Sequence, residues 1–155
     1  AFYEGAMWNT YGKRKSHPWS KVVKWREQAL AGNKKTTFIL CHFGNNCSDL
    51  GSLGRVLDRH KNAYSDISAR FRDIGRQPRF AKAFIEKYQD RLVYGTDLRV
   101  CPEMYLSTFR VLETEDEYFK SFDGKYFQWM AYGLGLSDKV LRKVYSENAR
   151  KIMHP

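Results

Sequence analysis

Three short apolar runs alternate along the chain with longer stretches in which apolar residues recur at helical spacing. The runs cover residues 36–41, 63–67 and 91–94, and each has the length of a β-strand. The first run is apolar and β-branched without alternation, which predicts a strand buried on both faces. Strands that alternate with amphipathic helices favour right-handed βαβ units, so the pattern predicts an α/β fold with a parallel sheet.

Capping residues and prolines mark where the helices begin. We predict helices over residues 20–31, 49–60, 78–88, 102–112, 138–145 and 147–153. Ser20 and Ser137 stand at N-cap positions, and Pro78 and Pro102 stand in first turns, where proline fits a helix. The predicted buried face of the helix after Pro102 consists of Tyr105, Leu106, Phe109 and Leu112. The helix after Pro78 is predicted to bury Phe80, Ala81, Phe84, Ile85 and Tyr88.

The segments between these elements are irregular. Residues 1–20 contain Gly5, Gly12 and Pro18, which break any period and predict a loop. The acidic residues 113–117 and the stretch 119–128 predict a surface insertion. No internal repeat and no linker divides the sequence, so we predict one domain over residues 1–155.

The composition is that of a soluble globular protein, with 43% apolar and 28% charged residues. No stretch reaches the roughly 18 apolar residues of a membrane helix, and the first residues do not resemble a secretory signal. Three cysteines at irregular spacing give no disulfide framework and indicate a reducing, cytoplasmic compartment. We predict that Cys41 is buried and that Cys47 and Cys101 lie in loops.

Polar side chains follow each apolar run where the predicted strand ends. His42 follows the first run, Ser68 and Arg70 follow the second, and Asp97 follows the third. Each also has a plain structural interpretation: a hydrogen-bonded histidine, a solvated loop cation, or an aspartate that caps a turn. Because α/β proteins bind ligands at the carboxyl ends of parallel strands, their joint placement favours a common site.

A histidine and an aspartate that face each other suit metal-assisted hydrolysis or decarboxylation. Zinc, the expected divalent cation, takes imidazole and carboxylate ligands and lowers the pKa of a bound water to about 7. A catalytic zinc site normally has three protein ligands, and this chain offers two. The other histidines are placed less well, because His17 lies in the irregular opening segment, His60 at a helix end predicted to be exposed, and His154 in the tail.

Six motifs occur in order along nearly the whole chain. They are residues 41–45 (CHFGN), 66–70 (DISAR), 75–78 (GRQP), 94–97 (YGTD), 112–119 (LETEDEYF) and 145–152, which include Asn148-Ala149-Arg150. Together they resemble the C-terminal part of the amidohydrolase-related family. This is a family of metal-dependent TIM-barrel enzymes that includes aminocarboxymuconate-semialdehyde decarboxylase-like proteins.

The resemblance implies roles for four residues. His42 matches the histidine that ends barrel strand six, which is a metal ligand or polarises the attacking water or the substrate. Asp97 matches the strand-eight aspartate, which ligates the metal and often accepts a proton from the metal-bound water. Arg70 and Arg76, on the loop after strand seven, would bind a substrate carboxylate through bidentate hydrogen bonds. The implied cofactor is a divalent metal, with zinc expected, and the implied substrate is a small molecule bearing a carboxylate or an amide.

Part of the family pattern has no counterpart in this sequence. The His-x-His pair of strand one, the strand-four residue and the strand-five histidine are not found. By the resemblance the chain holds strands six to eight of a (β/α)8 barrel with their helices, whereas a complete barrel needs about 250 residues. We therefore expect a fragment, or a half-barrel that associates with the missing N-terminal half or with another copy. The isolated chain is expected to bind metal poorly and to be inactive.

Two other interpretations fit parts of the sequence. The net charge of +10 suits a non-catalytic barrel remnant that binds a partner or a polyanion, and such binding would depend on salt. Direct nucleic-acid binding is not expected, because the basic residues are spread along the chain and only Lys13-Arg14-Lys15 form a dense cluster. A small flavodoxin-like domain would use Asp66 or Asp97 as its acidic site.

Overall fold

The computed structural model describes residues 17–122 and 129–154. The chain forms two compact units, residues 1–33 and 34–155. The described part of the first unit contains helix α1 (Trp19–Gly32), whose N-cap position is occupied by Pro18. Ser20 therefore lies inside the helix, and its prediction as the cap is wrong. The predicted opening loop falls mostly on residues 1–16, outside the described residues, and the single domain over residues 1–155 stays a prediction.

The second unit contains a three-stranded parallel sheet, as the sequence predicts. Strands β1 (Phe38–Leu40), β2 (Ala63–Asp66) and β3 (Leu92–Val93) lie in the order β1-β2-β3. Phe38 pairs with Ala63, and Ser65 pairs with Leu92. A flavodoxin-like sheet would place the first strand between the second and the third. The sheet observed here keeps chain order, so the flavodoxin-like interpretation is wrong for these strands.

Helices follow the strands and connect them. Their bounds are α2 (Cys41–Gly44), α3 (Leu50–Arg59), α4 (Phe71–Ile74), α5 (Pro78–Lys87), α6 (Pro102–Glu113), α7 (Asp138–Arg142), a π-helical segment π1 (Lys143–Glu147) and α8 (Asn148–Met153). Asp49 caps α3 by accepting a hydrogen bond from the Ser52 amide at 3.0 Å. The first-turn positions of Pro78 and Pro102 are confirmed.

The hydrophobic core is formed by the sheet and the inner faces of the helices. It includes Leu50, Leu53, Leu57, Ile67, Ala81, Ile85, Leu92, Met104, Val111, Leu112 and Val144. On α5 the predicted face is confirmed except at Phe80, which is exposed. On α6 the prediction was rotated, because Tyr105 and Leu106 are exposed while Thr108 is buried. The Thr108 hydroxyl can be buried because it contacts the Tyr94 hydroxyl at 2.9 Å and donates to the Tyr105 carbonyl.

Three further burial predictions are wrong. Ile39 in strand β1 is 45% exposed instead of buried, so this strand is not covered on both faces. Cys41 is exposed because the strand ends before it. His60 is buried at the end of α3, where its carbonyl accepts a hydrogen bond from Arg91 at 2.6 Å.

The C-terminal helical segment holds strand β3 in place. Asn148 is buried, and its side-chain amide donates to the carbonyls of Gln89 at 2.6 Å and Leu92 at 2.7 Å. The Tyr94 amide donates to the Val144 carbonyl at 2.8 Å. Because β3 leads to Asp97, these contacts also fix one wall of the site described below.

The predicted surface insertion is partly described. Residues 115–118 are exposed, but Phe119 is buried and forms an antiparallel bridge with Ala131. Residues 123–128 lie outside the described residues. Across the residues that the structure does describe, every helix is too short or too polar to span a membrane.

Candidate active site

His42 lies in a left-handed turn directly after β1. Four successive residues have positive φ angles: His42 (59°), Phe43 (54°), Gly44 (57°) and Asn45 (57°). For residues other than glycine this conformation costs roughly 1–2 kcal/mol each. The turn must therefore be held by tertiary contacts, and one of them is the side chain of Phe43, which is fully buried.

Asp66, the last residue of β2, provides the second contact that holds the turn. Its Oδ1 atom accepts hydrogen bonds from the His42 amide at 2.8 Å and from the Ser68 amide at 3.1 Å. The Ser68 hydroxyl also donates to the same oxygen. A single carboxylate oxygen thus joins the end of β1 to the loop that follows β2.

The imidazole of His42 is oriented by the Ser68 backbone. Its Nδ1 atom lies 3.1 Å from the Ser68 carbonyl oxygen. A carbonyl oxygen only accepts, so this contact places the ring proton on Nδ1. In the neutral ring the lone pair is then on Nε2, the nitrogen that faces Asp97.

Asp97 comes to the site from the loop after β3. Its Oδ2 atom lies 3.4 Å from His42 Nε2. The side chain of Asp97 is 66% exposed, whereas that of His42 is 25% exposed. The loop is held against the loop after β2, where the Ala69 amide donates to the Thr96 carbonyl at 2.8 Å. The structure therefore brings together the two residues that the sequence assigned to catalysis and metal binding.

Two carboxylates, Asp66 and Asp97, lie around the His42 ring. Partial burial, followed by the charge of Asp66, a hydrogen bond with Asp66 and the charge of Asp97, raises the pKa of the neighbouring Cys41 thiol. The carboxylate charges that disfavour a thiolate at Cys41 also favour a bound cation.

The two predicted substrate-binding arginines have different surroundings. Arg70 donates from Nη2 to the Asn45 side chain at 2.8 Å, and its Nη1 lies 3.8 Å from Asp73 Oδ2. Because Asn45 belongs to the left-handed turn, Arg70 is at the rim of the site. The guanidinium of Arg76 lies over the Trp129 ring, 4.5 Å from its centroid. A substrate contact stays a prediction for both.

The donor atoms of this site fit part of a metal site. Within residues 17–122 and 129–154, no three His, Cys, Asp or Glu side chains lie close enough together to hold a metal ion. The His42–Asp97 pair matches two ligands: atoms bound at about 2.1 Å to a tetrahedral ion lie roughly 3.4 Å apart, and the observed separation is 3.4 Å. Imidazole and carboxylate are also ligands that zinc accepts.

The sequence did not single out Asp66 among the residues that follow the strands. Asp66 was counted inside the second apolar run, and it was named only as the first residue of the 66–70 motif and as an acidic group of the flavodoxin-like interpretation. The spacing between Asp66 and Ser68 could have predicted a local turn, since an aspartate often accepts a hydrogen bond from the amide two residues later. That local turn is present. Its bond to the His42 amide joins residues 24 positions apart, and no local pattern reports such a contact.

Residues 27–154 match a family model described as amidohydrolase. The matched region covers most of the chain and includes every residue of the site. The chain matched no curated protein and no solved structure.

Proposed function

Because the chain belongs to the amidohydrolase family, we propose that His42 and Asp97 form part of the active site of a metal-dependent hydrolase or decarboxylase. Family membership itself suggests hydrolase- or decarboxylase-type chemistry. The metal, the substrate class and the residue roles are the proposal. The three parallel strands in chain order support their further assignment to strands six to eight of a (β/α)8 barrel.

One observation carries this proposal. His42 Nε2 and Asp97 Oδ2 lie 3.4 Å apart, and in the neutral ring with its proton on Nδ1 both atoms are acceptors. Two acceptors at this distance repel each other unless a proton or a cation lies between them. The nearby Asp66 carboxylate, whose Oδ1 lies 4.0 Å from His42 Nδ1, adds to the preference for a positive charge at that point.

The roles proposed here follow the family resemblance, and the exposure and charge of the residues are consistent with them. His42 Nε2 and Asp97 Oδ2 would hold a divalent cation such as zinc, which supplies Lewis-acid polarisation of a water or a carbonyl. By the resemblance, Asp97 would accept a proton from the attacking water, and its side chain is the more exposed of the two. Arg70 stands at the rim and suits a substrate carboxylate, because a guanidinium binds carboxylates through paired hydrogen bonds. The substrate class is a small molecule with a carboxylate or an amide.

We propose that the remaining metal ligands come from a further polypeptide segment. A catalytic zinc normally takes three protein ligands, and the described residues bring two donors together. The segment is either the N-terminal half of the barrel or another copy of this chain.

Zinc binding tests this proposal in the chain as it is. Two donors give weak binding that each of the substitutions His42→Ala and Asp97→Ala lowers by about tenfold or more, because even changes outside the ligand shell cost metal sites about 10- to 100-fold. Isothermal titration with zinc at neutral pH measures the affinity of each variant.

His154→Ala and Asp138→Ala are the matched controls, because both side chains are exposed. Their affinity should equal that of the wild type. Zinc binding that survives both site substitutions, or that disappears with a control, would remove the proposal.

A further inference from the structure

We propose that Asp66 is a positioning residue, which holds the backbones of His42 and Ser68 together and thereby fixes the His42 ring with its proton on Nδ1. This inference rests on the proposed function only for the use of the unprotonated Nε2 atom as a metal ligand. The state of the ring itself is a property of this chain, and it can be measured without metal or substrate.

The contacts of Asp66 are concentrated on one oxygen. Oδ1 accepts from the His42 amide and from the Ser68 amide. The side chain of Asp66 is 16% exposed, so the contacts are shielded from most of the solvent. Without this acceptor the two amides would lose their partner in a partly buried position, which is unfavourable.

Because Asp66 holds the backbones of His42 and Ser68, it also sets the surroundings of the His42 ring. When the amides of His42 and Ser68 share one acceptor, the Ser68 carbonyl comes to 3.1 Å from His42 Nδ1. The Ser68 hydroxyl oxygen also lies 3.1 Å from Nδ1, and its own proton is donated to Asp66. Both oxygens that face Nδ1 are therefore acceptors, and both require a proton on that nitrogen.

Backbone strain on both sides of Asp66 shows why a strong anchor is needed. His42 and Ala69 have positive φ angles of 59° and 56°. Residues of these types leave this conformation when nothing holds them. Asp66 accepts from the amide of His42 and from that of Ser68, which directly precedes Ala69, so its carboxylate connects the two strained segments.

Nitrogen NMR of the labelled chain, without added metal and at about pH 9, where imidazoles are neutral, reports which ring nitrogen carries the proton. His42→Gln identifies the signals of His42 among those of the four histidines. The wild type should show a protonated Nδ1 and an unprotonated Nε2. Asp66→Ala should lose this preference and show the mixture of both forms found in an unrestrained imidazole.

Two variants separate positioning from a general effect on folding. Asp66→Asn keeps an acceptor oxygen at the same place, and Ser68→Ala keeps both backbone bonds while it removes the hydroxyl. Both should retain the protonated Nδ1. A wild-type ring with the proton on Nε2 would overturn the inference, and so would an Asp66→Ala ring identical to the wild type. If Asp66→Ala does not fold, the wild type and Asp66→Asn decide, because loss of the preference in Asp66→Asn also contradicts the inference.

The role of Asp66 and the metal proposal can fail separately. A fixed ring without zinc binding would support the role of Asp66 and remove the metal proposal. Zinc binding at His42 and Asp97 with a ring that is indifferent to Asp66 would do the reverse.

Discussion

Replacing Phe43 by alanine should lower the free energy of unfolding by about 3–5 kcal/mol, the usual cost of removing a buried aromatic ring. Phe43 is completely buried, and its ring meets that of Phe84 edge to face at 6.3 Å between centroids. Its backbone lies in the left-handed turn next to His42. The substitution therefore removes core contacts and one of the restraints that hold the turn.

Phe80→Ala is the matched control, because Phe80 lies on α5 and is 53% exposed. Its truncation should change the free energy of unfolding by less than about 1 kcal/mol. Urea denaturation followed by circular dichroism measures both variants. Equal costs for Phe43→Ala and Phe80→Ala would show that the turn is not anchored in the core.

Replacing Asn148 by aspartate should lower the free energy of unfolding by about 3 kcal/mol or more at neutral pH. The shape is retained, but the amide that donates to the Gln89 and Leu92 carbonyls becomes a second acceptor. Because the site is buried, the new carboxylate would be a charge without a partner. Strand β3 would lose its attachment to α8.

The loss of stability caused by Asn148→Asp should increase as the pH rises. Burial beside two carbonyl oxygens raises the pKa of the introduced carboxyl above its unfolded value of about 3.9. The protonated form can still donate one hydrogen bond, so the protein is least destabilised below that unfolded value. The loss grows as the pH rises through the folded pKa.

Asn148→Ala serves as the control for this pH dependence, since it removes the donor and introduces no ionisable group. Urea denaturation at about pH 4 and pH 7.5, each relative to the wild type, should show a growing loss for aspartate and a constant loss for alanine. Parallel behaviour of the two variants would contradict a buried, donor-requiring position.

The sequence was informative wherever one local pattern had a single structural solution. The three apolar runs predicted three parallel strands, and Pro78 and Pro102 predicted helix starts. His42 and Asp97 were predicted to meet because the carboxyl ends of parallel strands lie at one edge of a sheet. Their 3.4 Å separation confirms that expectation.

The errors arose where tertiary contacts override local preference. The left-handed turn at His42 is locally unfavourable, and it forms because Phe43 is buried and Asp66 accepts the His42 amide. On α6 two apolar faces overlap in the sequence, and the buried one contains Thr108, whose hydroxyl has partners in the core. Single-residue hydrophobicity does not report such partners, so both features were missed.

The most direct measurement of whether His42 and Asp97 face one site is a titration with paramagnetic Mn²⁺ followed by amide NMR spectra. If both side chains approach one cation, the signals of residues 42 and 97 should broaden together at the same low Mn²⁺ concentration, while that of His154 stays sharp. Broadening of one site residue without the other, or broadening of neither until the whole spectrum is affected, would contradict a shared cation site.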